Sequence, residues 1–332
     1  MLTKYLPAIL LPAVLLFAGC GFDSGLIDAV DQVREGANLP KDKAQTGDVR
    51  PISTAPVPVR HAGETIRIAT FNIQVFGTSK MKKTHVMDVL VQVVRRFDVV
   101  AIQELRSKDQ TVIPKFVDLI NSEGATYDFV VGPRLGRTIS KEQYVFIFDA
   151  SRIEVDRGSV YTTSDRQDYL HREPLVARFT VRSAPYGQPF SFTLVNIHTD
   201  PDETDMELDA LDDVVTSVQQ NGSGEDDVIL LGDLNVDHRH LGELGQLPNV
   251  TWTVQGEKTN TRRTKSYDNI VFNSRYTNEF TGQASVLDLM SEYGLSEKQA
   301  LEVSDHLPVW AEFTVQENSG AIVAARNGSG NR

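Results

Sequence analysis

Cysteine is nearly absent from this chain of 332 residues, which contains only one, Cys20. A single cysteine excludes a disulfide within one chain, and it excludes zinc sites built from cysteine clusters. Basic residues are also in short supply, since 33 Lys and Arg against 45 Asp and Glu give a formal net charge of −12. Tight nucleic-acid-binding modules neutralise phosphates with Lys and Arg, so this charge argues against such a module.

Long apolar runs are scarce, and the one near the N-terminus is too short to cross a bilayer. It extends from Leu6 to Ala18 after Lys4, roughly 13 residues against the about 20 that a membrane-spanning helix needs. This pattern predicts a secretory signal peptide. The run closes with LLFAGC, which resembles a bacterial lipobox, in which the cysteine is acylated after cleavage before it.

Four segments are predicted along the chain, namely one domain and three segments that flank it. Residues 1–19 are expected to be a lipoprotein signal peptide, followed at 20–64 by a lipidated Cys20 and a flexible, proline-containing linker. Residues 65–316 are expected to form one large globular domain, and 317–332 a disordered tail. The lipid would hold the protein in a bacterial cell envelope outside the cytoplasm, on the periplasmic or cell-surface side. Alternatively, Cys20 is an ordinary signal-peptide residue that is cut away.

Within the domain, apolar periodicity predicts alternating strands and helices followed by a largely antiparallel run of strands. The opening pattern is strand, helix, strand, helix, and a later helix is expected from about Thr204 to Gln220. Mixed sheets flanked by helices, an α/β architecture, follow from this order. The predicted strands read IRIATFN, DVVAIQE, YDFVVG, QYVFIFD, RIEVDRGSVYTT, LVARFTV, FSFTLVNIH, DDVILLGDLN, YDNIVFN and LPVWAEFTV.

Polar residues of one chemical kind stand at the ends of five of these strand patterns. An Asp-His pair before LPVWAEFTV can bind a metal and transfer a proton, although by itself it is a sequence common in ordinary turns. Carboxylate and amide oxygens suit Mg²⁺, Mn²⁺ or Ca²⁺. The residues at these strand ends are Asn72, Glu104, His198, Asp233 with Asn235, and Asp305 with His306.

These residues stand in motifs that resemble the endonuclease/exonuclease/phosphatase superfamily, and within it the deoxyribonuclease I family. The general motifs are FN, QE, NIH, GDLN, YDNI and SDH, in the order expected of that superfamily. Narrower strings such as FNIQVFG, LGRTISKEQYVFIF and HREPLVARF are similar to deoxyribonuclease I. The resemblance implies a four-layer sandwich of two packed, mixed, mostly antiparallel sheets flanked by helices, and a divalent-metal-dependent phosphodiesterase.

The resemblance also implies a role for each motif residue. Glu104 and Asn72 are the first expected ligands of Mg²⁺ or Mn²⁺, with Asp233 and Asp305 around the same metal or phosphate. Two histidines serve as general acid and general base, and which does which stays open. The implied catalytic set is His198 oriented by Glu142, His306 oriented by Asp268, and Asp233 with Asn235.

Substrate contacts are implied at Arg106, which resembles a minor-groove arginine, and at Arg172, which resembles a phosphate-contacting one. Tyr267 and Asn235 complete the implied substrate-binding set. The sequence departs from the family elsewhere. Gln74 stands in place of an arginine, Ser140 in place of a groove-contacting tyrosine, and His238 and Lys265 in place of one disulfide.

Two loops resemble reduced versions of the family's structural calcium sites, although each can equally be a plain hydrophilic loop. Glu257, Thr259 and Thr261 alternate in one of them. The other gathers the carboxylates of Asp165, Asp168 and Glu173.

Three functions of different classes remain open from the sequence. The first is a monomeric, membrane-tethered endonuclease that binds DNA weakly and without sequence specificity. The second is a phosphodiesterase or phosphatase of the same fold that acts on phospholipid head groups or small phosphate esters, favoured by the tether and by Gln74 and Ser140. The third is a non-catalytic surface binding module, which the presence of every expected acid, base and ligand residue disfavours.

Overall fold

The computed structural model describes residues 64–318. The predicted signal peptide, the lipidated Cys20 and nearly all of the linker therefore lie outside the described residues, as does the tail from residue 319 onward. Two residues of the predicted tail are described: Glu317 donates its backbone N–H to Gln188 and Asn318 donates its own to Glu279. Among residues 64–318, no helix has the length and apolar character needed to cross a membrane.

The first half of the described chain alternates strands with helices, as the periodicity predicts. One difference concerns the first helix, which the apolar spacing predicts over residues 81–97. It forms over Thr84–Val94 after an extended Lys83, and a separate one-turn helix, Thr78–Met81, precedes it. The elements are β1 (Thr65–Phe76), α1 (Thr78–Met81), α2 (Thr84–Val94), β2 (Val99–Leu105), α3 (Val112–Asn121), β3 (Tyr127–Val131), β4 (Gln143–Asp149), β5 (Ile153–Thr162) and β6 (Leu175–Val181).

The second half adds four elements that the sequence patterns do not predict: two strands, β9 and β11, and two short helices, α5 and α6. The elements are β7 (Ser191–His198), α4 (Thr204–Gln219), β8 (Val228–Asp233), β9 (Val250–Trp252), β10 (Asp268–Asn273), β11 (Phe280–Val286), α5 (Leu289–Tyr293), α6 (Glu297–Val303) and β12 (Val309–Thr314).

The strands form two six-stranded sheets of similar construction. The first has the order β11-β12-β1-β2-β4-β3, and the second has the order β5-β6-β7-β8-β10-β9. Each sheet contains one parallel pair at its centre, β1 with β2 and β7 with β8, and its other pairs are antiparallel. The α2 and α4 crossovers that these parallel pairs require leave the helices on the outer faces.

Packing of these elements gives four layers. Aromatic side chains fill the space between the sheets, with Phe146 and Phe179 5.4 Å apart in an edge-to-face arrangement. Apolar residues of α2, α3 and α6 cover the outer face of the first sheet, and those of α4 cover the outer face of the second. The predicted four-layer sandwich is confirmed.

The topology brings the polar strand ends together. The regular pairing of the parallel strands β1 and β2 ends at Asn72 and Gln103, next to Glu104, while β7 and β8 end at the paired residues His198 and Asp233. Strand β10 runs antiparallel to β8 and begins at Asp268, directly opposite Asp233. Residues from both sheets therefore meet at one end of the sandwich.

Gly232 permits the close approach of β7 and β8 at this end. Its φ is 154°, and a Cβ atom at this position would lie 1.9 Å from the carbonyl oxygen of Ile197. Only glycine fits such a contact. The next residue, Asp233, is held in line with His198 as a result.

Candidate active site

Three residues other than glycine adopt left-handed backbone conformations around the shared strand ends: Val75 (φ 51°), Glu104 (φ 64°) and Asn235 (φ 54°). A positive φ is unfavourable for a β-branched residue such as Val75, and strain of this kind clusters at functional sites. The pairing of β1 with β2 shifts register between Asn72 and Phe76; Val75 lies in this segment of β1, and Glu104 lies in the facing segment of β2. The backbone here departs from a regular strand and presents polar side chains at the sheet end.

Asp233 lies at the centre of the site. Its Oδ2 atom is 3.5 Å from Nε2 of His198 and 3.4 Å from Nε2 of His306, and it accepts a hydrogen bond of 3.0 Å from the amide of Asn72. Burial alone would raise the pKa of Asp233, but the two imidazoles outweigh burial and hold it below its ordinary value. One buried carboxylate thus faces two histidines.

The first histidine, His198, has a carboxylate behind it. Its Nδ1 atom is 2.7 Å from Oε1 of Glu142. Although burial opposes ionisation of Glu142, His198, Arg172 and Arg106 lower its pKa to about 2. Burial would lower the pKa of His198, but the Glu142 charge and hydrogen bond raise it. The imidazole is oriented with Nε2 toward Asp233, in the geometry of an acid–base dyad.

The second histidine, His306, forms a matching pair with Asp268. Its Nδ1 atom is 2.9 Å from Oδ2 of Asp268, which also accepts a 2.7 Å hydrogen bond from the hydroxyl of Thr259. Burial disfavours the imidazolium, yet Asp268 and Asp233 raise the pKa of His306 well above its usual value. Thr261 donates to the carbonyl of Ser304 and fixes the turn that carries His306.

Glu104 and Asp305, the predicted cation ligands, both present carboxylate oxygens at this end of the sandwich. The Oδ1 atom of Asp305 is buried and has no hydrogen-bond partner, as an oxygen reserved for a cation would be. Glu104 accepts from the backbone of Val75 at 2.7 Å and lies 3.2 Å from Arg106. This donor set of carboxylate oxygens fits Mg²⁺ or Mn²⁺.

Asn72 is turned with its amide nitrogen toward the carboxylates, at 3.3 Å from Glu104 and 3.0 Å from Asp233. Its oxygen accepts from the backbone of Gln74 at 3.0 Å. In this orientation Asn72 positions two acidic side chains instead of offering its own oxygen. Asp233, Asp268 and His306 also place one potential ligand atom each within 4.8 Å of one another, but Nδ1 of His306 is already bonded to Asp268.

Lys80 is a buried residue of the site that the sequence patterns do not reveal. Its ammonium donates to the carbonyls of Ile73, Gln74 and Val303, at 3.1, 2.5 and 2.7 Å. Burial lowers the pKa of Lys80 to about 8, while Asp305 and Glu104 oppose that shift. The sequence around Lys80 shows no recognisable chemistry, because the three acceptors are backbone carbonyls and one of them, that of Val303, is 223 residues away.

Arg106 and Arg172 both support Glu142, although they differ in exposure. Arg106 is 30% exposed, and its Nε atom lies 3.2 Å from Glu104 and 3.3 Å from Glu142. Arg172 is buried, and its Nε atom lies 3.0 Å from Glu142 and donates to the carbonyl of His198. Arg106 therefore borders the open surface, whereas Arg172 stabilises the first dyad from behind.

The other predicted substrate contacts lie at the rim. The ring of Tyr267 is 5.8 Å from that of His306. Asn235 donates its amide to the carbonyl of Thr199 at 2.8 Å. The hydroxyl of Ser140 lies 3.3 Å from Arg106, so this serine restrains the arginine where an aromatic side chain was expected by resemblance.

In this chain, neither of the two calcium-like loops has the structure of a cation site. Thr259 and Thr261 are fully buried, and their hydroxyls are bonded to Asp268 and to the backbone near His306. In the other loop, Asp165 accepts from the backbone of Leu170, and Asp168 pairs with Arg137 at 3.4 Å. Within residues 64–318, no close group of three acidic or histidine ligands forms in either loop.

Comparisons with known proteins identify a matching family and similar sequences. The model of the endonuclease/exonuclease/phosphatase family matches residues 69–306. Deoxyribonuclease gamma of Rattus norvegicus is 32% identical over 278 residues, covering 78% of this chain and 87% of that protein. Deoxyribonuclease-1 of Bos taurus is 32% identical over 267 residues, covering 76% of this chain and 93% of that protein.

Solved structures show the same fold at lower identity. The crystal structure of D. rerio TDP2 complexed with a single-strand DNA product has a TM-score of 0.52 and 17% identity, covering 75% of this chain and 98% of that one. The human Nocturnin catalytic domain with bound sulfate has a TM-score of 0.51 and 16% identity, covering 75% of this chain and 94% of that one.

Proposed function

The chain belongs to the endonuclease/exonuclease/phosphatase family, and on that premise we propose that it is a divalent-metal-dependent phosphodiesterase that cleaves DNA as a nonspecific endonuclease. The observation that carries the proposal is the position of Asp233 between two imidazoles, 3.5 Å from His198 and 3.4 Å from His306. Each imidazole has its own carboxylate on the opposite nitrogen, which fixes its orientation.

Two such dyads match the needs of phosphodiester hydrolysis. The anionic oxygens of the ester repel a nucleophile, and the alkoxide is a poor leaving group, so the reaction requires an activated water and a proton donor. One imidazole accepts the proton of the attacking water, and the other protonates the leaving oxygen. Asp233 keeps both Nε2 atoms directed at the same point, and Asn235 borders it.

Glu104 and Asp305 would hold the cation, with Asp233 beside them and Asn72 orienting Glu104 and Asp233 through its amide. When bound, Mg²⁺ or Mn²⁺ neutralises charge on the phosphate oxygens and orients the ester. Arg106 links Glu104 to Glu142. The cation ligand and the first dyad are thereby held in one arrangement.

DNA is the substrate that the relatives favour, because proteins similar in sequence include deoxyribonuclease gamma and deoxyribonuclease-1. The net charge of −12 predicts weak binding, which suits an enzyme that acts without sequence preference and must release its product. Arg106 and Tyr267 are the exposed or half-buried groups at the rim that would contact it. Arg172 would contribute by holding Glu142 in place and by attracting the phosphate of the substrate.

We also propose that the protein is a monomer anchored through Cys20 in a bacterial cell envelope, outside the cytoplasm. The support is the LLFAGC string after an apolar run. Expression of the full chain with labelled palmitate would show label in the membrane fraction. In Cys20→Ala the label should disappear, and label retained in that variant would contradict the anchor.

Substitution of the histidines tests the mechanism. In His198→Ala and His306→Ala, plasmid nicking with Mg²⁺ or Mn²⁺ should fall by about 10²- to 10⁴-fold, the usual loss of an acid–base partner. His240→Ala is the matched control, because that histidine is exposed and bonded only to Asp237 among the described residues. Full nicking activity in both dyad variants would refute the mechanism.

A phospholipid or small-ester phosphodiesterase is the second candidate, favoured by Ser140. This residue bonds Arg106 where the family resemblance predicts a tyrosine that contacts a DNA groove. Sphingomyelin or phosphoinositide vesicles assayed beside plasmid DNA separate the two candidates. Robust lipid hydrolysis without plasmid nicking selects the lipid substrate, and the reverse selects DNA.

A further inference from the structure

A cluster of carboxylates lies at the end of the sandwich opposite the active site. Asp227 precedes β8, whereas Asp233 ends that strand, so the two lie about 20 Å apart at the usual rise per residue. Glu279 precedes β11 and Glu317 follows β12. Asp227, Glu279 and Glu317 place one carboxylate oxygen each within 4.8 Å of one another.

Two of these carboxylates are buried and incompletely bonded. Asp227 is 3% exposed and Glu279 is 1% exposed. Oε2 of Glu279 has no hydrogen-bond partner, and Oδ1 of Asp227 has none in good geometry, although the buried hydroxyl of Thr277 lies close enough to lower the pKa of Asp227. Buried polar atoms are normally satisfied, so unsatisfied oxygens on two carboxylates of one cluster indicate a missing partner.

One oxygen of Glu279 and one of Glu317 are held by backbone N–H groups. Glu279 accepts from Asn318 at 2.7 Å, and Glu317 accepts from Ser191 at 2.9 Å. These bonds fix the carboxylates so that their other oxygens remain available. Glu225 stands at the edge, where it accepts from the backbone of Asp227 at 3.0 Å and from the hydroxyl of Ser191.

Burial and neighbouring charges oppose the ionised form of these carboxylates. The charged groups that most affect Asp227 are Glu279, Glu317 and Glu225, all of them acidic, and together with burial they raise the pKa of Asp227 to about 9. Burial and the adjacent carboxylates raise the pKa of Glu317 to about 7. Buried charges of one sign are stable only when a counter-charge is present.

We propose that Asp227, Glu279, Glu317 and Thr277 form a structural calcium site that joins the two sheets. Carboxylate and hydroxyl oxygens are the ligands of hard cations, and Ca²⁺ accepts irregular sets of them at 2.3–2.6 Å. Ligands on opposite sides of Ca²⁺ are therefore about 5 Å apart, in keeping with oxygens that all lie within 4.8 Å. The smaller Mg²⁺ demands a nearly regular octahedron.

The ion would connect segments that are distant in sequence. Glu279 and Glu317 flank strands of the first sheet, and Asp227 flanks a central strand of the second. An ion that binds the folded chain but not the unfolded chain stabilises the folded chain by mass action. Calcium should therefore raise the melting temperature independently of nuclease activity, which separates this site from the proposed active site.

Thermal unfolding and calorimetric titration with CaCl₂ after EDTA treatment test the site. Wild-type protein should gain about 5–10 °C in Tm at calcium a hundredfold above its Kd. Asp227→Asn and Glu279→Gln should lose the Tm gain that this site provides, and each should bind one Ca²⁺ fewer per chain. Asp213→Asn, a change of one exposed acid on α4, is the matched control and should behave as wild type.

Without calcium the order should reverse, because Asp227→Asn removes a carboxyl group whose ionisation is opposed by burial and by the neighbouring acids. The variant should therefore melt at or above the wild-type temperature in EDTA. Equal calcium stoichiometry and an equal Tm gain in wild type and both variants would overturn the proposal. A gain with MgCl₂ as large as with CaCl₂ would overturn the choice of calcium. Thr277→Val provides a variant with all carboxylates intact, and an unchanged calcium Kd there would remove Thr277 from the site.

Discussion

Asp233 has a different role from the two carboxylates that stand behind the histidines. Glu142 and Asp268 each contact an Nδ1 atom, whereas Asp233 faces both Nε2 atoms. The charge of Asp233 is among the causes that raise the pKa values of His198 and His306. The proton affinity of both imidazoles therefore depends on one residue.

Asp233→Asn should lower the pKa values of both histidines, because it removes a negative charge at about 3.5 Å from each Nε2 atom. NMR titration of the imidazole protons in wild type and variant measures this directly. Asp237→Asn, a change of a nearby carboxylate that bonds only Arg239 and His240 among the described residues, is the control. Unchanged histidine pKa values in Asp233→Asn would contradict the shared role.

Single residues were predictable from sequence where a motif carries their chemistry, and unpredictable where distant backbone atoms define them. His198, His306, Asp233 and Asp268 stand at strand ends, and the fold brings them together as the strand pattern predicts. Lys80 and the buried position of Arg172 depend on the carbonyls of Val303 and His198. Sequence spacing contains no information on such contacts.

At the scale of elements, hydrogen bonds connect the bulged end of β1 to the C-terminus of α6. Lys80 bonds the carbonyls of Ile73 and Gln74 in β1 and that of Val303 in α6. Ser304 donates its hydroxyl to the carbonyl of Asn72 at 2.6 Å. These bonds connect the strand that carries Asn72 to the turn that carries Asp305 and His306.

Lys80→Met should destabilise this junction, because the apolar side chain leaves three carbonyls without their donor. Loss of a buried hydrogen-bond partner costs about 1–3 kcal/mol, so the free energy of unfolding in urea should fall by roughly that amount or more. Lys82→Met, on the exposed residue two positions away, is the control. A variant as stable as wild type would show that the ammonium does not hold the junction.

Long, strongly periodic elements were predictable, and short ones were not. The strands around the active site follow the apolar patterns closely, since burial on both faces selects continuous runs such as VVAIQEL. β11 reads FTGQASV with mostly exposed residues, so it lacks both alternation and a run. α6 has only seven residues, and its capping box of Ser296 and Gln299 is its one local signal.

At the scale of the whole molecule, several buried groups hold protons to a higher pH than they do in the unfolded chain. Burial raises the pKa of Glu207 to about 7, and burial with neighbouring carboxylates raises that of Asp227 to about 9. The pKa of His306 is raised well above its ordinary value. Stability from the raised histidine is complete below about pH 6.5 and is lost above it.

For the raised acids, the unfolded chain ionises first, so folding becomes less favourable as pH increases from about 4 toward the folded pKa values. Carboxylates with lowered pKa, such as Glu142, contribute fully above about pH 4.5 and add no slope at neutral pH. In EDTA, the free energy of unfolding should therefore fall from pH 6 to pH 8, by on the order of 1–3 kcal/mol. Urea titrations at the two pH values test this, and greater stability at pH 8 would contradict it.

The fold class and the chemical nature of the active site were predictable at this scale, because the motifs occur in order along the chain and the fold makes them meet. The substrate was not, since Arg106, Gln74 and Ser140 lie at a rim whose shape depends on loops. The carboxylate cluster at the far end was also hidden, because Asp227, Glu279 and Glu317 are separated in sequence and converge only through the packing of the two sheets.

Hydrolysis of bis(4-nitrophenyl) phosphate beside supercoiled plasmid, with Mg²⁺, Mn²⁺ or Ca²⁺ and with EDTA, tests the central claim most directly. The small ester requires the dyads and the cation but no DNA groove contacts, so it separates the chemistry from substrate recognition. We predict metal-dependent release of 4-nitrophenolate and plasmid nicking, both reduced about 10²- to 10⁴-fold in His306→Ala. No turnover of either substrate with any of the three metals would contradict the account and identify a binding module.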